Sequence, residues 1–176
     1  TATCDAYLLS ESSLFVWDNR ILMITCGNTT LKDSLLFLVN KIGEAEIASL
    51  IYQRKNEHFS SLQQTDFEQD VEEINNYLKG TILKLGQDNG HHNLIYSLQK
   101  PVHEIENDTT FEIFCYDIVK DASEFLTKEN LLNSDIRSFL KLENILKGFE
   151  ISDFVFEPCG YSMNAIRNQE YCTIHV

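Results

Sequence analysis

Short β-favouring runs joined by tight polar turns constrain this chain more than any other feature. Leu14 to Trp17 and Ile21 to Thr25 flank only Asp18-Asn19-Arg20, and Thr81 to Leu85 and Leu94 to Leu98 flank Asp88-Asn89-Gly90. Parallel strands need a crossover of about a dozen residues or more, so connections this short predict antiparallel hairpins. Two helical patterns lie between them. Leu31, Leu35, Val39 and Ile42 recur at the helical period, after a capping Thr29 or Thr30 and before a terminating Gly43. Phe67, Val71, Ile74 and Leu78 form a second stripe behind the capping box Thr65-Asp66-Phe67-Glu68, which ends near Gly80. Further strands are expected over Glu46 to Lys55, Thr110 to Tyr116, Ile151 to Phe156 and Tyr171 to Val176. The last two enclose an irregular Cys159-Gly160-Tyr161-Ser162-Met163-Asn164, and Val119 to Leu146 mixes short helical patterns with polar breaks. Hairpins with intervening helices predict an α+β layered fold with mostly antiparallel sheets.

The 176 residues suffice for one sizeable core, and no Pro/Gly/Ser linker or internal repeat marks a boundary. With 27 acidic against 14 basic residues the net charge is −13, which repels a phosphate backbone and argues against a nucleic-acid partner. No apolar run reaches the length of about 18 residues that a membrane span needs, and no basic-then-apolar leader is present. Five scattered cysteines, odd in number and without Cys-x-x-Cys spacing, argue against a disulfide framework or a metal site; a reducing, cytoplasmic setting is expected. His91 and His92, beside Asn and Gly, read as a polar turn.

One stretch resists this description. Between Tyr7 to Leu9 and Leu14 to Trp17 stand Ser10-Glu11-Ser12-Ser13, with no Gly or Pro to signal a turn. The extended chain is expected to run straight through, or through a tight kink. By themselves these four residues read as solvated serines and a surface glutamate.

Four separated blocks change that reading. Leu9-Ser10-Glu11-Ser12-Ser13 with Phe15-Val16, then Thr25-Cys26-Gly27, then Phe156-Glu157-Pro158-Cys159-Gly160-Tyr161-Ser162-Met163-Asn164, then Tyr171-Cys172-Thr173-Ile174-His175 follow one another in order. Together they closely resemble the S-adenosylmethionine decarboxylase family of the eukaryotic, pyruvoyl-dependent type, across the whole chain. The resemblance implies an α/β/β/α layered sandwich and a self-made cofactor. The Glu11–Ser12 peptide bond would break autocatalytically, and Ser12 would become a pyruvoyl group. A serine hydroxyl is a weak nucleophile unless a base helps it; the family assigns that help to residues matching Ser162, which would hold the ring intermediate, and His175, which would move the proton that commits it to the ester. The substrate amine would then form a Schiff base with the pyruvoyl carbonyl, the electron sink for departing CO₂.

Other roles carry over position by position. Cys26 matches the family's proton donor, although a lone Cys is more often a small core residue. Phe156 matches an aromatic that stacks on the adenine of S-adenosylmethionine, and Leu9 and Glu11 match positions that touch the nucleoside. An acidic, aromatic pocket suits a sulfonium cation. Asp108 and Glu112 match two acids of the site at which putrescine activates some members; as surface carboxylates they would need no such role. Ile24 stands where activated members often carry a basic residue, which puts putrescine dependence in question. The oligomeric state stays open, a homodimer of cleaved chains being one form.

The implied activity is decarboxylation of S-adenosylmethionine to the aminopropyl donor for spermidine and spermine. The alternative is a catalytically dead regulatory paralogue that activates a partner; such paralogues would lose the Glu-Ser step, which is intact here. The resemblance also implies that residues 1–176 are part of a single domain lacking its N-terminal strand and C-terminal portion. Unpaired edges and bare core faces would then leave this length of chain poorly stable and inactive alone.

Overall fold

The structure is a computed structural model that describes residues 4–55, 63–87, 92–99 and 109–176. Two compact units divide the chain: Thr1–Thr29 with Phe111–Val176, and Thr30–Thr110. Among the described residues the strand pairings are antiparallel, in three three-stranded sheets with helices beside them, so the α+β expectation holds.

In the first unit, β1 (Asp5–Leu9), β2 (Ser12–Val16) and β3 (Ile21–Thr25) form a meander. Leu9 pairs with Ser12, so Ser10 and Glu11 are the two-residue turn of a hairpin, and the chain does not run straight through. Neither residue has the positive φ that the glycine-rich hairpin turns require, which is why no Gly or Pro announces it. Partners distant in sequence hold the turn instead. The second sheet of this unit contains β7 (Glu150–Val155), β8 (Tyr161–Arg167) and β9 (Glu170–His175) in that order.

Here β8 corrects a second expectation, because Tyr161 to Asn164 open the central strand and are not irregular. Tyr161 through Ala165 are buried without a break, so the half-buried alternation that marks a strand in sequence is missing. Tyr161, Met163 and Ala165 pack with Leu126, Ile136 and Leu142 from α3 (Lys120–Leu126), α4 (Asn133–Leu140) and α5 (Leu142–Ile145). The opposite face carries Ser162, Asn164 and Ile166 toward the first sheet. There Ile166 and Tyr171 join Phe15 and Trp17, with Phe15 and Tyr171 rings 5.0 Å apart. The Asn164 side-chain amide donates to the Tyr7 carbonyl at 3.0 Å and ties β8 to β1.

Asp153 anchors β7 beneath the helices. Its carboxylate, 3% exposed, accepts from Arg137 at 2.6 and 2.7 Å, from Tyr161 at 2.8 Å and from Asn133 at 3.0 Å. Burial alone would raise its pKa, but the hydrogen bonds from Arg137 and Tyr161 outweigh it and hold the carboxyl below the usual range.

The second unit sets α1 (Leu31–Ile42) and α2 (Phe67–Ile74) against β4 (Ser49–Lys55), β6 (Asn93–Gln99) and β5 (Thr81–Leu85), in that sheet order. The predicted stripe is its core, with Phe67, Val71 and Ile74 packed on Tyr52 and Tyr96. The capping box sits one residue later than expected, with Asp66 as cap and Gln69 as its reciprocal partner. Asp70, 1% exposed, accepts from Tyr52, Arg54 and Thr65, each at 2.6 Å, and locks α2 to β4. The predicted strand before Lys55 begins at Ser49, after a short 3₁₀ turn over Glu44–Glu46. The turn at Asp88-Asn89-Gly90 lies outside the described residues.

Thr110 to Tyr116 forms no strand. Phe111 and Ile113 are 85% and 71% exposed, and β-propensity without a pleated surface to pack against does not make a strand. Among the described residues no helix is long and apolar enough to cross a membrane.

Candidate functional site

The two sheets of the first unit converge on a small polar cluster. Strand alternation puts Ser13 on the same face of β2 as Phe15, and His175, Thr173 and Tyr171 on one face of β9. The aromatic contact between Phe15 and Tyr171 therefore fixes the register in which the polar residues meet. His175 Nε2 lies 2.8 Å from Ser13 Oγ, which is also 2.9 Å from Thr173 Oγ1. The other ring nitrogen, Nδ1, lies 3.1 Å from Ser162 Oγ and 3.8 Å from Cys26 Sγ. Ser162 is paired with His175 across β8 and β9, and its hydroxyl reaches toward the Ser10 carbonyl at 3.5 Å. Burial lowers the His175 pKa below its ordinary value and favours the neutral imidazole, the form able to accept a proton.

The Ser10-Glu11 turn sits over this cluster, held from one side by the segment after β3. The Glu11 carbonyl accepts from the Cys26 N–H at 2.9 Å, and the Glu11 carboxylate accepts from Thr29 Oγ1 at 2.8 Å. Gly27, at φ +62°, makes this approach possible, because a Cβ there would lie 2.6 Å from Glu11 Oε1. Ser12 follows the turn, 4% exposed and paired with Thr25, on the β2 face opposite Ser13. Cys26 is exposed, whereas Cys172 lies against the helix-side core, where burial pushes its thiol pKa up.

Beside the turn is a cavity of about 310 Å³, lined by Leu8, Leu9 and Ser10 from one sheet and by Ser152, Asp153, Phe154 and Phe156 from the other. Its volume is at the small end of ligand pockets, which span roughly 300–1,000 Å³. Phe154 and Phe156 meet with ring centroids 4.8 Å apart.

The structure thus brings Ser162, Cys26 and His175 together under the Glu11–Ser12 step, and Leu9 and Phe156 onto one cavity. Glu112 lies apart, exposed in the segment without regular structure, and Asp108 falls outside the described residues. Ser13, Thr173 and Asn164 received no role from the sequence. The two-residue spacing of Tyr171, Thr173 and His175, which places all three on one strand face, was the available signal for Thr173. Among the described residues no group of three or more His, Cys, Asp or Glu is arranged to hold a metal ion.

Fold and site together define a class: an α+β protein in which a serine and a histidine from paired strands and a thiol from the segment after β3 gather beneath a glycine-free hairpin turn. The chain belongs to the adenosylmethionine decarboxylase family, whose sequence model matches residues 1–176. It is similar to the S-adenosylmethionine decarboxylase proenzyme of Dictyostelium discoideum, at 33% identity over 98% of this chain and 48% of that protein. It is also similar to those of Caenorhabditis elegans, at 32% identity over 98% and 51%, and of Drosophila melanogaster, at 34% over 98% and 56%. The chain spans about half the length of these curated relatives. The crystal structure of the Trypanosoma brucei AdoMetDC-delta26 monomer has the same fold, with a TM-score of 0.59 and 20% identity over 92% of this chain and 62% of that one.

Proposed function

We propose that the protein containing this chain decarboxylates S-adenosylmethionine with a pyruvoyl group that it makes from Ser12 by cutting itself at Glu11–Ser12. The observation that carries this reading is the state of the Glu11 carbonyl. It lies in a two-residue turn, hydrogen-bonded to the Cys26 amide at 2.9 Å, with the Ser162–His175 pair beneath. That donor is aimed where negative charge develops if the carbonyl is attacked.

In the proposed sequence, Ser12 Oγ adds to the Glu11 carbonyl carbon to give a five-membered ring, and the Cys26 N–H holds the oxyanion. The C–N bond then breaks as a proton reaches the Ser12 nitrogen, and an ester replaces the amide. Loss of the Ser12 Cα proton breaks the Cβ–O bond and frees Glu11 as a carboxylate. Water converts the remaining dehydroalanine to the pyruvoyl group, releasing ammonia. Neutral His175, with Nδ1 next to Ser162, is the group suited to move protons in these steps. Once formed, the group supplies a carbonyl that withdraws the electrons left by departing CO₂.

The residues present fit this cofactor, because its precursor serine follows a turn held by main-chain and side-chain bonds. The cavity between Leu9 and Phe156 offers a flat aromatic surface for an adenine, and Cys26 Sγ, 3.8 Å from His175 Nδ1, is the group suited to return a proton to the product. The test is expression of the full-length protein, followed by a denaturing gel and intact-mass measurement. Two chains, the larger blocked to Edman chemistry and reactive toward carbonyl reagents, are expected, and Ser12→Ala should abolish the split. A single chain with Glu11–Ser12 intact overturns the reading.

A further inference from the structure

We propose that Ser13 and Thr173 act as a hydroxyl relay that keeps His175 in its Nε2-protonated tautomer, leaving Nδ1 as the proton acceptor facing Ser162 and Cys26. The consequence for cleavage rests on the self-processing reading above; the tautomer itself does not.

Ser13 is wholly buried, at 0% exposure, on a strand face that is otherwise apolar. A serine hydroxyl in such a place must satisfy both its proton and its lone pairs locally. Its two neighbours are His175 Nε2 at 2.8 Å and Thr173 Oγ1 at 2.9 Å. A neutral imidazole donates from one nitrogen and accepts at the other, so the direction of hydrogen bonding along this row selects the tautomer.

Two directions are available. In one, Nε2–H donates to Ser13, Ser13 donates to Thr173, and Nδ1 accepts from Ser162 across 3.1 Å. In the other, Ser13 donates to Nε2, Nδ1–H donates to Ser162, and the Ser162 proton is left with the Ser10 carbonyl at 3.5 Å. The first direction gives the Ser162 proton the shorter bond. It also points the Nδ1 lone pair at the two groups, a hydroxyl and a thiol, that have protons to give. Burial adds to this by disfavouring the doubly protonated ring. Ser13 and Thr173 touch no reacting atom in this scheme. They are positioning residues, acting through His175.

The test uses full-length protein labelled with ¹⁵N-histidine and blocked from cleavage by Ser12→Ala, with His175→Gln assigning the signal. Imidazole nitrogen shifts distinguish the two tautomers, and the protonated nitrogen is expected to be Nε2. Adding the near-isosteric Thr173→Val removes the acceptor for the Ser13 proton, so the tautomer should reverse, and Thr173→Ser should restore it. In the protein with Ser12 intact, Thr173→Val and Ser13→Ala should slow cleavage by roughly tenfold to a hundredfold, part of the usual contribution of a positioned base. Thr173→Ser should cleave within about twofold of the parent. A resident Nδ1–H tautomer overturns the proposal, as does a Thr173→Val variant that keeps both tautomer and cleavage rate. If the parent itself never cleaves, the self-processing reading fails, while the tautomer measurement still decides the relay.

Discussion

Replacing Gly27 with alanine should slow self-cleavage without unfolding the protein. Gly27 adopts φ +62°, and an alanine there costs about 1–2 kcal/mol of backbone strain. The new Cβ would meet Glu11 Oε1 at 2.6 Å and Cδ at 2.7 Å, so the carboxylate must swing away and lose the 2.8 Å bond from Thr29. A hydrogen bond to a charged group contributes about 1.5–3 kcal/mol when buried; Glu11 is half-exposed and water replaces part of it, leaving about 1 kcal/mol. Stability should therefore fall by about 2–3 kcal/mol. The strain is present throughout the reaction, so only the lost grip on Glu11 reaches the transition state. About 1.4 kcal/mol corresponds to one decade of rate, so the loss of about 1 kcal/mol should slow cleavage about fivefold. The assay is the appearance of the two chains against time on a denaturing gel, with chemical denaturation run in parallel. Thr29→Val, which removes the same bond with no backbone strain, should slow cleavage similarly while costing only about 1 kcal/mol of stability. Parent-like cleavage by both variants would refute the claim that the Glu11 side chain steadies the turn.

Cleavage should also depend on pH through His175. Its folded pKa lies below the ordinary value of 6.5, so the rate should be flat near neutrality and fall as pH drops through that lower value. In the same window the unfolded chain takes up the proton first, so this group's effect on stability is a loss as pH falls from about 6.5 toward the folded pKa. A rate midpoint above 6.5, read from cleavage time courses, would contradict the burial argument. Cys26→Ala keeps the main-chain amide that holds the Glu11 carbonyl, so the chain should still split, while decarboxylation of S-adenosylmethionine falls by about a hundredfold. Retention of full turnover would remove Cys26 from the proton-donor role. Asp153→Ala should cost about 3 kcal/mol, the low end for a broken buried pair, because the Arg137 side chain is 31% exposed and can turn to water. A lower denaturation midpoint with unchanged slope would be the expected signature.

The parts of this protein legible in its sequence are those specified locally. The periodic stripes of α1 and α2, the Gly43 stop and the short connection at Asp18-Asn19-Arg20 each involve neighbours a few residues apart, and all appear in the structure. The family blocks carried Ser12, Cys26, Ser162 and His175 as residue identities. What depends on distant partners was not legible. The Ser10-Glu11 turn lacks turn residues because Cys26 and Thr29 hold it from beyond β3. The β8 strand reads as a loop because sheet on one side and helices on the other bury both of its faces. Thr110 to Tyr116 has the composition of a strand but joins no ladder in the described structure.

Sequence alone determined which reactive groups the chain carries and, through its short hairpins, that its sheets are antiparallel. Only the tertiary structure decided that Ser13, rather than Ser12, presents its hydroxyl to His175, and that Thr173 stands behind it. Strand alternation assigns adjacent serines to opposite faces, but which face meets β9 follows from the packing of Phe15 on Tyr171, a contact between residues far apart in the chain.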